Sequence, residues 1–209
     1  MKSITRQMID SIINLGWAEA LQQDGYYRHG REWGQRGDNY IRVIHLQSGR
    51  FNSGDRGSFT FNLRVIFASP SKVMGTKPSA NFPNDFYCGI YEPIGLVLPD
   101  RRGKLWEFDG QSDLRAIADE CIEGWRGYAK PWLERHSDMR VAREVAIRRS
   151  NYLLAIQISI LLGEKQEAQR FLEKLLAEYR TEAHHYFLDL AEKHGIVPRP
   201  DELLGQREN

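Results

Sequence analysis

Cysteine is scarce in this chain of 209 residues, which contains only Cys88 and Cys121. The two residues form no CxxC pair, so the sequence has neither the spacing of a zinc knuckle nor that of a redox motif. Two isolated cysteines are typical of reduced thiols, which the cytoplasm maintains. We therefore expect a cytoplasmic protein with two free thiols.

Long apolar runs and a strong net charge are also missing. No apolar run approaches the roughly 18 residues that a membrane-spanning helix needs, and the first residues lack the uninterrupted apolar stretch of a signal peptide. The formal net charge is +1, so the chain lacks the overall field of a dedicated nucleic-acid binder. Its 41% of hydrophobic and 27% of charged residues are typical of a soluble globular protein, and we expect no membrane partner.

The common catalytic and cofactor signatures are absent from the sequence. It contains no GxGxxG, HExxH or GxSxG pattern. Gly49 and Gly54 are spaced as in a phosphate-binding loop, but Asp55 stands where that loop needs lysine, and a strand follows instead of a helix. No two histidines have the i, i+4 spacing that places both rings on one helix face. We therefore expect no cofactor and no bound metal.

The clearest pattern in the chain is a strand in the stretch SFTFNLRVIF. Apolar side chains recur at every second position, at Phe59, Phe61, Leu63, Val65 and Phe67. Thr60, Asn62 and Arg64 point the opposite way, because successive side chains of a strand alternate between its two faces. One apolar face and one wetter face predict an antiparallel sheet.

The remaining patterns predict the order of elements. An amphipathic helix is expected over residues 3–23, interrupted at Gly16, and strands are expected in GYYRHGREWGQRGDNYIRVIHL. Residues 69–86 form a long connection, and CGIYEPIGLVL and KLWEF are two further expected strands. After Ser112, a suitable N-cap, the pattern is helical throughout.

This order predicts an α+β fold rather than an α/β fold. We expect an N-terminal helix, an antiparallel sheet of about five strands and a C-terminal all-helical region. The expected domains are an α+β core over residues 1–137 and a helical extension over residues 138–209. The extension should hold a helical hairpin, a last helix and a polar tail, and it is a candidate surface for a protein partner or for self-association.

A candidate ligand site lies on the expected hairpin. If Tyr40, Ile44 and Leu46 share the apolar face, then His45 and Gln47 lie beside Asn62 and Arg64 on the other face. If Ile41 and Val43 share the apolar face, this cluster does not form. The full set of candidate ligand-binding residues is His45, Gln47, Arg50, Asn52, Ser53, Asn62 and Arg64. Such groups can bind an anion or a polar ligand, although a solvated face, or one half covered by a C-terminal helix, is the more ordinary interpretation.

A second candidate site is a local basic stretch over residues 126–150. Trp125, Tyr128 and Trp132 lie among its basic residues, and basic groups interleaved with aromatic rings can grip single-stranded nucleic acid. The candidates for this alternative are Arg126, Lys130, Arg140, Arg143 and Arg148. Core tryptophans beside a solvated helix face are the other interpretation.

The chain resembles the bacterial domain-of-unknown-function family numbered 4304 from Gly25 to about Ser137. The resemblance is carried by GYYRHGREWGQRGDNYIRVIHLQSGRFNSGDRGSFTFNLRV, FYCGIYEPIGLVLPDRRGKLWEF and KPWLERHSD, and its most specific part surrounds Arg50 and Asn52. The family usually has an aromatic residue such as tryptophan where Phe51 stands. The resemblance implies the order of segments and a bacterial origin, and it assigns no catalytic residue.

Two further functional hypotheses follow from these patterns. The first is a non-enzymatic cytoplasmic binding or protein-interaction module, with which a role in bacterial defence or toxin immunity is compatible. The second is an enzyme or small-ligand protein acting on an anionic substrate at the polar sheet face. The second requires that the candidate groups converge on one point.

Overall fold

A computed structural model of the protein describes residues 3–67, 89–178 and 184–196. The chain divides into two compact units. The first unit comprises residues 1–66 and 91–137, and the second comprises residues 67–90 and 138–209. The expected 69–86 connection, Cys88 and the expected polar tail lie outside the described residues.

The first unit begins with two helices, α1 (Ile4–Ile12) and α2 (Ala18–Gln23), joined by a kinked segment (Ile13–Trp17). Gly16 lies at the kink with a φ angle of +109°, which side-chain-bearing residues rarely adopt, so the predicted interruption is confirmed. The chain then forms the strands β1 (Tyr27–His29), β2 (Glu32–Arg36), β3 (Tyr40–Ser48), β4 (Gly57–Phe67), β5 (Gly89–Pro93) and β6 (Trp106–Phe108).

The six strands form one antiparallel sheet. Strands β1 to β5 follow each other in chain order, and β6 pairs with the first residues of β4, from Gly57 to Phe59. The helices that follow are α3 (Leu114–Gly124), α4 (Lys130–His136), α5 (Met139–Arg148), α6 (Tyr152–Leu161), α7 (Lys165–Glu178) and α8 (His184–Lys193). The predicted α+β fold is therefore confirmed.

An aromatic cluster forms the centre of the first unit. Phe61 of β4 stacks on Trp17 with ring centroids 4.2 Å apart, and it contacts Trp106 of β6 at 4.8 Å. Trp33 of β2 meets Trp17 edge to face at 4.6 Å. All four side chains are buried. The alternation in β4 thus places its aromatic face against the N-terminal helices, where aromatic pairs add to the stabilisation from burial.

The two N-terminal helices also contact parts of the chain that lie far along the sequence. Leu15 accepts a hydrogen bond at its carbonyl oxygen from Nη1 of Arg115, at 3.2 Å. The Asp24 carboxylate accepts from Nε1 of Trp125 at 2.8 Å and forms an ion pair with Lys130 at 2.5 Å. The start of the first unit is therefore fixed to its last helices.

Two local predictions were wrong. The strand expected over CGIYEPIGLVL ends at Pro93, because Ile94–Leu96 forms a 3₁₀ turn. Gly95 in this turn approaches the backbone so closely that a Cβ atom there would lie 2.1 Å from the carbonyl oxygen of Arg102. The N-cap of α3 is Asp113 and not Ser112, since the Asp113 carboxylate accepts the free N–H groups of the first turn.

In the second unit, the described residues 138–178 and 184–196 are mainly helical. Helix α5 ends at Arg148, and Asn151 caps the start of α6 with its side-chain oxygen, so the two are separate helices. Helix α6 is apolar on nearly all sides and buries six consecutive residues from Leu154 to Ser159. It packs on α7 as the predicted helical hairpin, with Gly163 at a φ angle of +74° at the turn.

Within the described ranges, no helix combines the length and the apolar character that crossing a membrane would require.

Candidate functional site

The connection between β3 and β4, residues 49–56, is held by hydrogen bonds at its base. Nδ2 of Asn52 donates to the Ser58 carbonyl oxygen at 3.0 Å, and the Ser58 N–H donates to Oδ1 of Asn52 at 2.8 Å. The Gly49 N–H donates to the same Ser58 carbonyl at 2.8 Å. A Cβ atom at Gly49 would lie 2.2 Å from Oγ of Ser58 and 2.9 Å from Oδ1 of Asn52, so a larger residue there would displace both side chains. We call this segment the hairpin connection.

A tight turn closes the far end of the hairpin connection. Ser53 and Arg56 exchange two backbone hydrogen bonds of 3.0 Å each, and Gly54 follows Ser53 with a φ angle of +57°. Glycine at the first central position of a two-residue turn is the pattern of a type II′ turn. Helix α1 secures the turn, because the hydroxyl of the buried Thr5 donates to the Gly54 carbonyl at 2.7 Å.

Two residues between these anchored parts point into solvent. Arg50 is exposed, and Phe51 exposes 96% of its side-chain surface. Their neighbours on both sides are held by the bonds of Asn52 and Gly49. The exposed aromatic ring therefore extends from a backbone whose position is fixed.

A polar pocket of about 480 Å³ lies on the α1 side of the hairpin connection. We call it the arginine pocket, because Arg6 of α1 and Arg31 of the β1–β2 turn both line it. The other lining residues are Ser3, Thr5, Ile9, Ser48, Gly49, Asn52, Ser53 and Gly54. Nη1 of Arg31 donates to the hydroxyl of Ser48, which ties the β1–β2 turn to the end of β3.

A second groove of about 520 Å³ lies on the other side of the hairpin connection, against β6 and the turn before α3. It combines Phe51 and Arg56 with the carboxylates of Glu107 and Asp109. Hydrogen bonds from Gln111 and Ser112 hold the pKa of Asp109 below its usual value. This carboxylate therefore serves to shape the turn that precedes α3.

The second face of β3 and β4 carries a chain of polar side chains. The Tyr91 hydroxyl donates to Oδ1 of Asn62 at 2.7 Å, and Nδ2 of Asn62 donates to Oε1 of Gln47 at 2.7 Å. The guanidinium of Arg64 lies over the Tyr91 ring, 5.7 Å from its centroid. Asn62 is only 3% exposed, so its two bonds satisfy a buried amide.

His45 lies on the same face, opposite Glu32 of β2. Its Nδ1 atom is buried and has no hydrogen-bond partner within the described part of the chain. Burial lowers the pKa of His45 from its usual value, and the charges of Arg64 and Arg31 act in the same direction while Glu32 opposes them. The imidazole is therefore held in its neutral form to a lower pH than a free histidine.

A family model described as a domain of unknown function, DUF4304, matches residues 17–135. The chain belongs to the DUF4304 family. The match includes the hairpin connection and the polar face of the sheet and ends before α5. No curated protein and no solved structure matches the chain significantly.

The DUF4304 region brings some of the predicted ligand residues together and separates others. His45, Gln47, Asn62 and Arg64 share one sheet face, so the first of the two pairings considered for the hairpin is the one that forms. The remaining candidates, Arg50, Asn52 and Ser53, lie in the hairpin connection. Asn52 and Ser53 line the arginine pocket, where Asn52 is already bonded to the backbone of Ser58.

The basic candidates for nucleic-acid binding are divided between the two units. Arg126 and Lys130 belong to the DUF4304 region, and Lys130 is paired with Asp24. Arg140, Arg143 and Arg148 belong to the second unit, where Glu164 binds the first two of them. Trp125 is a core residue, and Trp132 stacks on His136 at 4.2 Å. Two carboxylates thus already form ion pairs with three of the five basic groups.

Two chemistries find little support in the DUF4304 region. Burial raises the pKa of the Cys121 thiol far above its usual value, and a nucleophilic cysteine requires the thiolate. Over the ranges that the structure describes, no group of three or more His, Cys, Asp or Glu residues could hold a metal ion.

Sequence reasoning missed Arg6, Arg31 and Tyr91. Arg6 lies on the polar side of an amphipathic helix, where a solvated charge is the ordinary expectation. Arg31 lies in a turn, and Tyr91 follows a long connection. Only the packing of α1 against the hairpin connection and the pairing of β5 with β4 place these residues at the sites described above.

Proposed function

We propose that the protein is a non-enzymatic binding module that contacts a protein partner through the hairpin connection, with Arg50 and Phe51 as the principal contact residues. The observation that carries this proposal is the 96% exposure of Phe51 on an anchored backbone.

Phe51 contributes nothing to the core of the first unit, because its ring faces solvent. Burying a phenylalanine side chain against a partner stabilises a complex by about 1.5–3 kcal/mol. Because Asn52, Gly49 and Thr5 already hold the surrounding backbone, little conformational entropy is lost when a partner binds. Aromatic residues, including phenylalanine, and arginine are also enriched at the centres of protein interfaces.

The polar face of the sheet fits a catalytic site poorly. Its amide groups are bonded to each other, since Asn62 serves both Gln47 and Tyr91. A catalytic site instead requires groups that reach a substrate atom. A substrate at this face would have to displace bonds that satisfy a buried amide.

Site-specific photocrosslinking in extract from cells that naturally produce the protein tests this proposal. A crosslinking amino acid at position 51 should capture one protein that the same probe at Leu96 does not capture. Leu96 is the matched control because it is an exposed apolar residue of the same unit. Recovery of the captured protein by tagged Phe51→Ala should fall at least about ten-fold, while Leu96→Ala recovers it as the wild type does.

Phe51→Ala should unfold within about 0.5 kcal/mol of the wild type, because an exposed side chain contributes little to stability. A loss of binding in this variant therefore reports the contact and not the fold. Identical crosslinked proteins from positions 51 and 96, or equal recovery by Phe51→Ala and the wild type, would contradict the proposal.

A further inference from the structure

The arginine pocket is a second site, distinct from the exposed tip of the hairpin connection. Its two guanidinium groups come from different elements, since Arg6 belongs to α1 and Arg31 to the β1–β2 turn. The hydrogen bond from Thr5 to Gly54 holds α1 against the hairpin connection, and that from Arg31 to Ser48 holds the β1–β2 turn against the end of β3. The pocket is therefore built from three segments that are already fixed to each other.

Positive charge is concentrated around Arg31. Burial lowers the pKa of this guanidinium, and the nearby charges of Arg6 and Arg28 act in the same direction, whereas Asp10 opposes them. Arg31, which is half-buried, thus lies near two exposed arginines and one carboxylate. Like charges in such a place repel each other, and an anion between them removes that repulsion.

The remaining lining of the arginine pocket supplies neutral hydrogen-bonding groups. Ser48 and Ser53 contribute hydroxyls from the hairpin, and Ser3 contributes one from the start of α1. None of the residues that line this pocket is an aspartate or a glutamate. Guanidinium and hydroxyl donors together are well suited to the oxygen atoms of a phosphate group, which guanidinium groups bind through paired hydrogen bonds.

We propose that the arginine pocket binds a phosphate group, with Arg6 and Arg31 as its charged ligands. The volume of about 480 Å³ lies in the range of small-molecule sites, roughly 300–1,000 Å³, so it accommodates the organic part of a phosphate monoester as well as the phosphate. This site is independent of the proposed partner contact, because neither Arg50 nor Phe51 lines the pocket.

Isothermal titration of the full chain with inorganic phosphate, O-phosphoserine and adenosine monophosphate tests the proposal. Binding of inorganic phosphate as tightly as the esters identifies free phosphate as the ligand, whereas tighter binding of an ester identifies a phosphorylated small molecule. Either result supports the site if Arg6→Gln and Arg31→Gln each weaken binding by about ten-fold or more.

The matched control is Arg102→Gln, which removes one exposed arginine that does not line the arginine pocket. Arg31→Gln also removes the bond to Ser48, so a loss of binding in that variant can result from a change in the fold. Arg6→Gln distinguishes the two causes, because Arg6 is exposed and its replacement leaves the fold intact. The absence of binding by all three ligands at millimolar concentration would overturn the proposal. So would an equal loss of affinity in the Arg6→Gln and Arg102→Gln variants.

Discussion

The two faces of β4 differ in how their side chains are satisfied. On one face, Phe59 and Phe61 lie in a dry aromatic cluster with Trp17 and Trp106. On the other face, the buried Asn62 is bonded to Gln47 and Tyr91. Neighbouring residues of one strand therefore depend on different forces, which are non-directional burial for Phe61 and directed hydrogen bonds for Asn62.

This difference determines how each face tolerates substitution. An apolar contact is lost in proportion to the surface and volume removed. When a substitution removes one partner of a buried hydrogen bond, the other partner remains in place without a new donor or acceptor. Substitutions on the apolar face should thus lower the free energy of unfolding by more. On the polar face, the loss should depend on which hydrogen-bonding partner is removed.

The largest effect is expected on the apolar face. Phe61→Ala should lower the free energy of unfolding by about 3–5 kcal/mol, because it leaves a cavity beside Trp17 and Trp106. Urea denaturation followed by tryptophan fluorescence measures this change. Phe61→Leu retains most of the volume and should cost clearly less; equal losses in both variants would show that cavity formation is not the cause.

A smaller effect is expected one residue further along the strand. Asn62→Ala should lower the free energy of unfolding by about 1–3 kcal/mol, because it removes two hydrogen bonds of a buried amide, one to Tyr91 and one to Gln47. The same urea titration measures this change. The matched variant is Tyr91→Phe, which removes only the hydrogen bond from the Tyr91 hydroxyl to Asn62. If the free energy of unfolding of Asn62→Ala differs from that of the wild type by less than about 0.5 kcal/mol, these hydrogen-bonded side chains do not stabilise the fold.

The smallest effect is a pH dependence that belongs to the polar face alone. Because the pKa of His45 is lower in the folded than in the unfolded protein, the unfolded chain takes up this proton first as the pH falls. The contribution of His45 to the free energy of unfolding is therefore fully present above its ordinary pKa of 6.5. It is lost as the pH falls from 6.5 through the lower pKa that His45 has in the folded protein. His45→Gln should therefore reduce the decline of stability below pH 6.5.

Unfolding midpoints in urea, measured at intervals between pH 7.5 and pH 5, follow this effect. Phe61→Ala is the control, since it should lower stability by the same amount at each pH. Equal declines in the wild type and in His45→Gln would remove His45 as the source.

Local patterns predicted the fold where one force dominated. Strict alternation located β4, and the helical pattern after Ser112 indicated the C-terminal helices. The prediction failed at Gly95, where the carbonyl of Arg102 and not the β propensity of the neighbouring residues decides the backbone. Close approach of two chain segments leaves no periodic signal, so the 3₁₀ turn could not be anticipated.

The sites were predictable to a lesser degree. Residues on one strand, such as His45 and Gln47, could be placed on a common face once a pairing was assumed. The arginine pocket could not, because Arg6 and Arg31 meet only when α1 packs on the hairpin connection. Asn52 was predicted as a ligand, and the structure shows that its amide also holds the hairpin backbone.

The bond between Asp24 and Trp125 also has a consequence during synthesis of the protein. These residues are separated by 101 positions, and Leu15 and Arg115 are separated by 100. At a translation rate of about 5–20 residues per second, the N-terminal helices leave the ribosome roughly 5–20 s before α3 exists. Throughout that interval the surface of α1 and of the kinked segment that packs on α3 lacks its final partner, so the nascent chain exposes apolar groups that the folded protein buries.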